Sequence, residues 1–98
     1  MGKTYYVYIL ASRKYGALYI GVTGDLAGRI SLHREEVWPG HTATYHIHRL
    51  VHFEPYEDPN LAIRREKQLK KWLRAWKIEL IEKANPDWAD LYAEIAMD

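Results

Sequence analysis

The sequence has 98 residues, enough for one domain and too short for two. It is 48% hydrophobic, with four Trp and eight Tyr to build one core, and has no cysteine, which excludes a disulfide framework, a thiol nucleophile and a cysteine zinc site. Net charge is only +1, but residues 64 to 77 carry seven cations against one acid, a net of +6, and residues 78 to 98 a net of −5, so half of the fourteen cations fall in one short segment, the footprint of a polyanion partner.

Residues 4 to 11 (TYYVYILA) are β-branched and aromatic and read as a first strand rather than a leader, since no small-residue cleavage site follows. No apolar run reaches the ~18 residues that span a bilayer, so no membrane partner is expected. The lack of cysteine fits a cytoplasmic setting. A polar turn over Ser12 to Gly16 leads to a second short strand, Ala17 to Thr23, and the two should pair as a hairpin. Thr23, Gly24 and Asp25 supply turn and cap chemistry for a helix from about Leu26 to Glu36, with Leu26 and Ile30 on its buried side. Trp38 to Tyr45 reads as a loop, and Arg49 to Tyr56 as a third strand whose end Pro55 marks as an edge. Asp58 and Pro59 start a long helical pattern that runs to about Ala84, with a break near Lys71, until Asn85 and Pro86 stop it. Asp87 to Ala96 is a short terminal helix with Trp88, Leu91 and Ile95 on one side. The class is α+β, in the order β-β-α-β-α-α, with a short antiparallel sheet packed on helices.

In an antiparallel hairpin the parity of the pairing decides which residues share a face. An even-numbered loop groups Tyr6, Tyr8 and Leu10 with Tyr19 and Gly21 and leaves the opposite face wholly aliphatic, as Val7, Ile9, Ala11, Leu18, Ile20 and Val22. That clean partition favours the even loop, although tyrosines are good strand residues for any reason. In the first helix Arg29 and His33 stack at i and i+4 beside the Leu26–Ile30 stripe. A guanidinium there suits a phosphate, or else is a surface Arg with its stem over the sheet. Ala62, Glu66, Leu69, Leu73, Trp76 and Leu80 form one stripe at 4-3-4-3-4 spacing, and the single carboxylate among five apolar residues needs a cation: a metal ligand, or a buried ion pair, for instance with Arg29. His46 and His48, with His41 and His52 nearby, lack a Cys or a well-spaced acid and are expected to be hydrogen-bonded or solvated. No Gly-rich phosphate loop, Ser elbow or Cys–His pair is present.

Taken together these residues resemble the GIY-YIG nuclease family. Tyr6-Val7-Tyr8 stands for the first half of the name motif and Tyr19-Ile20-Gly21 is the second half intact. Arg29 follows Gly21 by eight positions, His33 follows it by twelve, and Glu66 sits in Arg64-Arg65-Glu66-Lys67. The likeness spans residues 4 to about 85 and is nearest the small stand-alone bacterial members, Leu-Lys-Lys-Trp at Leu69 to Trp72 included, with relatives in the nuclease domain of the excision-repair endonuclease.

The resemblance implies a three-stranded antiparallel sheet flanked by helices, with the site on its tyrosine face. It implies one divalent ion, Mg²⁺ or Mn²⁺, on Glu66, with Tyr8, Tyr19, Arg29 and His33 catalytic, and with Tyr19 or Tyr8 orienting or deprotonating the attacking water. Arg64, Arg65, Lys67, Lys70, Lys71 and Arg74 would track phosphates of nucleic acid, DNA above all, in distorted, branched, damaged or single-stranded form. Specificity is expected to be low, or supplied by a partner protein or a homodimer. Two departures stand out: Tyr6 replaces the first glycine of the motif, and Val22 and Thr23 stand where repair members carry a Lys. By loose spacing the family's late Asn corresponds to Asn85. The rival reading is a catalytically silent nucleic-acid-binding domain on the same scaffold. A third is a protein-interaction module using the acidic C-terminal segment.

Overall fold

A computed structural model describes residues 2–36, 40, 43 and 45–96. The expected loop over Trp38 to Tyr45 lies mostly outside the described residues, as does His41. Three strands, β1 (Tyr5–Ala11), β2 (Leu18–Thr23) and β3 (Arg49–Tyr56), form one antiparallel sheet in the order β2-β1-β3. Helix α1 (Leu26–Arg34) follows the hairpin, and α2 (Pro59–Lys71), α3 (Arg74–Ala84) and α4 (Tyr92–Ala96) follow β3. The expected class and order hold, with the long helix divided in two.

The hairpin pairs Tyr8 with Gly21, Ile9 with Ile20 and Leu10 with Tyr19, closing at Ala11 and Leu18 over a six-residue loop. The even loop is thus the one formed. Ser12 makes it possible: its N–H donates to the Ala17 carbonyl at 3.0 Å and its hydroxyl accepts from the Ala17 N–H at 3.0 Å. On the aliphatic face Val7, Ile9, Ala11 and Ile20 pack with Val51 against Ala62 and Leu69 of α2, Ile81 of α3 and Trp88. On the tyrosine face Tyr8 and Leu10 pack with Leu26 and Ile30 of α1, Ile47 and Leu50. The Asp25 carboxylate caps α1 by accepting from the Gly28 N–H at 3.1 Å.

A bulge in β3 lets both faces be filled. The partner of β1 shifts from His52 at Ile9 to Leu50 at Leu10, leaving Val51 as the extra residue, so that Leu50 turns to the tyrosine face and Val51 to the other.

Two expectations are corrected. The stripe through Glu66 does not continue past Leu69 as a buried line: Trp72 and Leu73 are extended (ψ 149° and 150°), which resets the helical phase and leaves Leu73 62% and Trp76 52% exposed while Ile81 takes the core side. The terminal segment is not one amphipathic helix either. Trp88, at φ 56°, is buried on the aliphatic face, whereas Leu91 and Ile95 pack on the tyrosine face, because residues 85 to 91 pass around the β3 edge. There the Leu91 N–H donates to the Leu50 carbonyl at 2.7 Å and the Leu50 N–H donates to the Asp90 carboxylate at 3.2 Å.

Candidate active site

The tyrosine face carries the candidate site. Pairing Tyr8 with Gly21 places the phenol of one strand over the bare backbone of the next, and a Cβ at Gly21 would run into the Tyr8 ring and hydroxyl. Tyr19, two pairs along β2 and so on the same face, brings its ring to 6.3 Å from that of Tyr8. The last turn of α1 supplies His33, buried against both: its ring lies 6.0 Å from Tyr8 and 5.2 Å from Tyr19, and its Nε2 is 3.2 Å from the Tyr8 hydroxyl in a hydrogen bond.

Charge completes the constellation. Burial first, and then Tyr19, push the Tyr8 phenol up to about 12; Glu66 adds to the rise, and Arg29 opposes it through its charge and a hydrogen bond. Burial and the nearby Arg29 charge lower His33 from its ordinary 6.5, so its imidazole is neutral at pH 7. Tyr8, Tyr19 and His33, from β1, β2 and α1, therefore touch one another, Arg29 of α1 joins them at the Tyr8 hydroxyl, and the charge of Glu66 on α2 bears on that phenol from farther off. They differ in access: Tyr8 is wholly buried and His33 nearly so, while Tyr19 and Arg29 are half-buried.

Glu66 has an ionic partner, as a carboxylate only 14% exposed requires, in Lys70, one helical turn on, with Nζ 2.9 Å from Oε2 and the Lys side chain 52% exposed. The i+4 spacing of this lysine was visible in the sequence and was overlooked there. Among the described residues no group of three or more His, Cys, Asp or Glu is arranged to hold a metal. His46 instead bonds Glu36 at 2.6 Å, and His52 bonds Glu54 at 2.8 Å.

The six cations assigned to phosphate tracking divide. Arg65 turns to the sheet and forks onto Glu54 at 2.9 and 3.1 Å, with its guanidinium 5.0 Å above the Trp72 ring. Arg74 donates to the Tyr15 and Gly16 carbonyls at 2.8 and 2.7 Å, tying the start of α3 to the hairpin loop. Lys70 is held by Glu66. Arg64, Lys67 and Lys71 are exposed at i, i+3 and i+7, on the side of α2 away from buried Ala62 and Leu69, and no ion pair or hydrogen bond engages them among the described residues. Asn85 belongs to the scaffold: its side-chain amide donates to the Val51 and Ala89 carbonyls at 3.1 and 2.9 Å, and its oxygen accepts from the Ala89 N–H at 3.0 Å.

No helix among the described residues is long and apolar enough to cross a membrane. The chain is 33% identical over 78 residues to a UPF0213 protein of Staphylococcus haemolyticus, which covers 80% of this chain and 94% of the relative. It is similar in structure to a UPF0213 protein of Bacillus halodurans solved by NMR, with a TM-score of 0.56 and 29% identity, covering 89% of this chain and 92% of that one. A family model described as the GIY-YIG catalytic domain matches residues 4–79, the span that carries both strands of the hairpin, Arg29, His33 and Glu66, and the chain belongs to that family.

Proposed function

We propose that this chain is a divalent-metal-dependent endonuclease that hydrolyses phosphodiester bonds in DNA, with Tyr19 and Arg29 touching the substrate and Tyr8 and His33 holding them from beneath. The observation that carries the reading is the cluster of Tyr8, Tyr19 and His33 on one sheet face, with Arg29 hydrogen-bonded to the Tyr8 hydroxyl and the Glu66 charge acting on it from α2.

The half-buried Arg29 offers a fork to the scissile phosphate and neutralises charge as it develops there. Tyr19, the phenol that reaches solvent, orients the attacking water. Tyr8, buried and pushed to about 12, stays protonated at neutral pH and shares a hydrogen bond with the His33 Nε2. A neutral imidazole behind the phenols gives a proton leaving the water a resting place.

Glu66 suits a hard cation. Its carboxylate already holds a positive charge, the Lys70 ammonium, and that partner is an exposed side chain that a small ion can displace. One carboxylate leaves most of the oxygen shell to water and phosphate, the pattern of Mg²⁺ or Mn²⁺. Such an ion, when bound, polarises a phosphate oxygen and stabilises the leaving oxygen.

The test is cleavage of nicked, flapped and linear DNA by the purified chain with Mg²⁺ or Mn²⁺, beside Arg29→Ala and Glu66→Gln. Cleavage by the wild type and its loss in both variants is expected. Binding without cleavage in the wild type would select the silent binding domain instead.

A further inference from the structure

Where α2 gives way to α3, two indoles form a corner that the site above does not use. Trp72 is half-buried with the Arg65 guanidinium over its ring, Trp76 is 52% exposed, and their centroids lie 6.1 Å apart at 87°. Trp72, Trp76, Glu79, Leu80 and Lys83 line a concavity of about 240 Å³ there. A flat ring can stack on the open face of Trp76 and meet the other indole edge-on, the arrangement aromatic pairs favour.

The surroundings decide which ring. A stable protein partner needs about 800 Å² of face, and this corner is a narrow notch. Arg64, Lys67 and Lys71, the outward cations of α2, lie on the helix that ends at Trp72. Around the helix these three lie between the Glu66–Lys70 shoulder, which borders the site, and the Arg65–Trp72 shoulder, which borders the corner. Lys83 balances Glu79 in the notch itself, so the charge for a polyanion comes from the α2 cations and the apolar contact from the indoles. A ring attached to phosphates is a nucleobase, and only an unpaired base offers both of its faces.

We propose that the Trp72–Trp76 corner is a base-stacking site for single-stranded nucleic acid, which reaches it from the Glu66 side by crossing Arg64, Lys67 and Lys71. The inference rests on the nuclease reading and narrows its substrate: a duplex end or junction with an unpaired arm, the arm held at the corner.

The experiment titrates the full chain, without divalent ion, with a labelled short oligothymidylate and with a matched blunt duplex. It reads label anisotropy and tryptophan fluorescence. The single strand should quench indole emission, and Trp76→Ala should weaken single-strand binding roughly tenfold, as base–aromatic stacking warrants. Trp76→Phe should restore most of the affinity, and duplex affinity should stay within twofold throughout. Trp76 is a surface residue, and circular dichroism confirms that each variant is folded. Unchanged single-strand affinity in Trp76→Ala overturns the proposal and leaves the nuclease reading intact. So does a shift from dimer to monomer in that variant with no change in nucleic-acid binding, which marks the corner as a contact between copies. Failure of the wild type to bind either oligonucleotide overturns both readings.

Discussion

Tyr8 and Tyr19 are two phenols on one face, and exposure separates them: Tyr8 is wholly buried and Tyr19 half-buried. Replacing Tyr19 by Phe removes a hydroxyl that reaches solvent. Cleavage should fall at least ~100-fold, mainly in kcat, with the melting temperature nearly unchanged. Replacing Tyr8 by Phe strips a buried hydrogen bond from His33 and should also lower stability by about 1–2 kcal/mol. Equal stability losses in the two variants would contradict this division. The pH profile belongs to the same scale. Burial and Arg29 hold His33 below 6.5, and only its neutral form accepts a proton, so cleavage should drop as pH falls through a midpoint below that value. His33→Gln should abolish that acid limb in single-turnover rates. The face these residues share was legible in the sequence, since period-two alternation and the composition of the opposite face left one sensible register. Their exposure was not, because α1 covers Tyr8 more closely than Tyr19 and no spacing rule states how a helix sits across a sheet.

Helix α2 is fastened to the sheet by a network that the charge run concealed. Glu54 on β3 accepts from Arg65, from the Tyr56 hydroxyl at 2.8 Å and from His52 at 2.8 Å. Burial alone would raise its carboxyl, but the bonds from His52, Arg65 and Tyr56 outweigh it and pull it from 4.5 to about 2. A depressed carboxyl stabilises the fold above its unfolded value, so this contribution is complete above about pH 4.5 and drains away as pH falls toward 2. Glu54→Gln should cost about 2–3 kcal/mol at pH 7 and flatten the loss of stability between those two pH values, as followed by urea melts. Equal slopes in the two proteins would remove the network from the account. In sequence Arg65 looks like its basic neighbours, and its partner stands eleven positions away on another element, so only packing reveals it. The break expected near Lys71 is where the helix ends, but the change of phase across Trp72 and Leu73 was not legible, since neither Gly nor Pro marks it and the apolar spacing runs straight through.

Over the whole molecule the net charge of +1 conceals a surface divided by position. Of the cations in α2 and at the start of α3, Arg64, Lys67 and Lys71 face outward, so the logarithm of duplex affinity against the logarithm of salt should have a slope of about −3, with ~0.9 from each phosphate contact. Changing all three to Ala should flatten the slope. Arg65→Ala and Arg74→Ala should lower stability and leave the slope alone, and a slope that follows Arg65 would undo this partition.

The family match stops at residue 79, yet the seal on β3 comes from residues 90 and 91, which occupy the Leu50 N–H and carbonyl at the sheet's outer margin. A protein trimmed to the catalytic match would keep every residue assigned to chemistry and bare that margin. Uncovered strand margins recruit strands from other molecules. Residues 2 to 84 alone should accordingly build up oligomers and thioflavin-positive aggregates that the full chain avoids, and size-exclusion profiles showing a well-behaved monomer would refute the point. Residues 90 and 91 are thus expected to guard the chain against polymerisation.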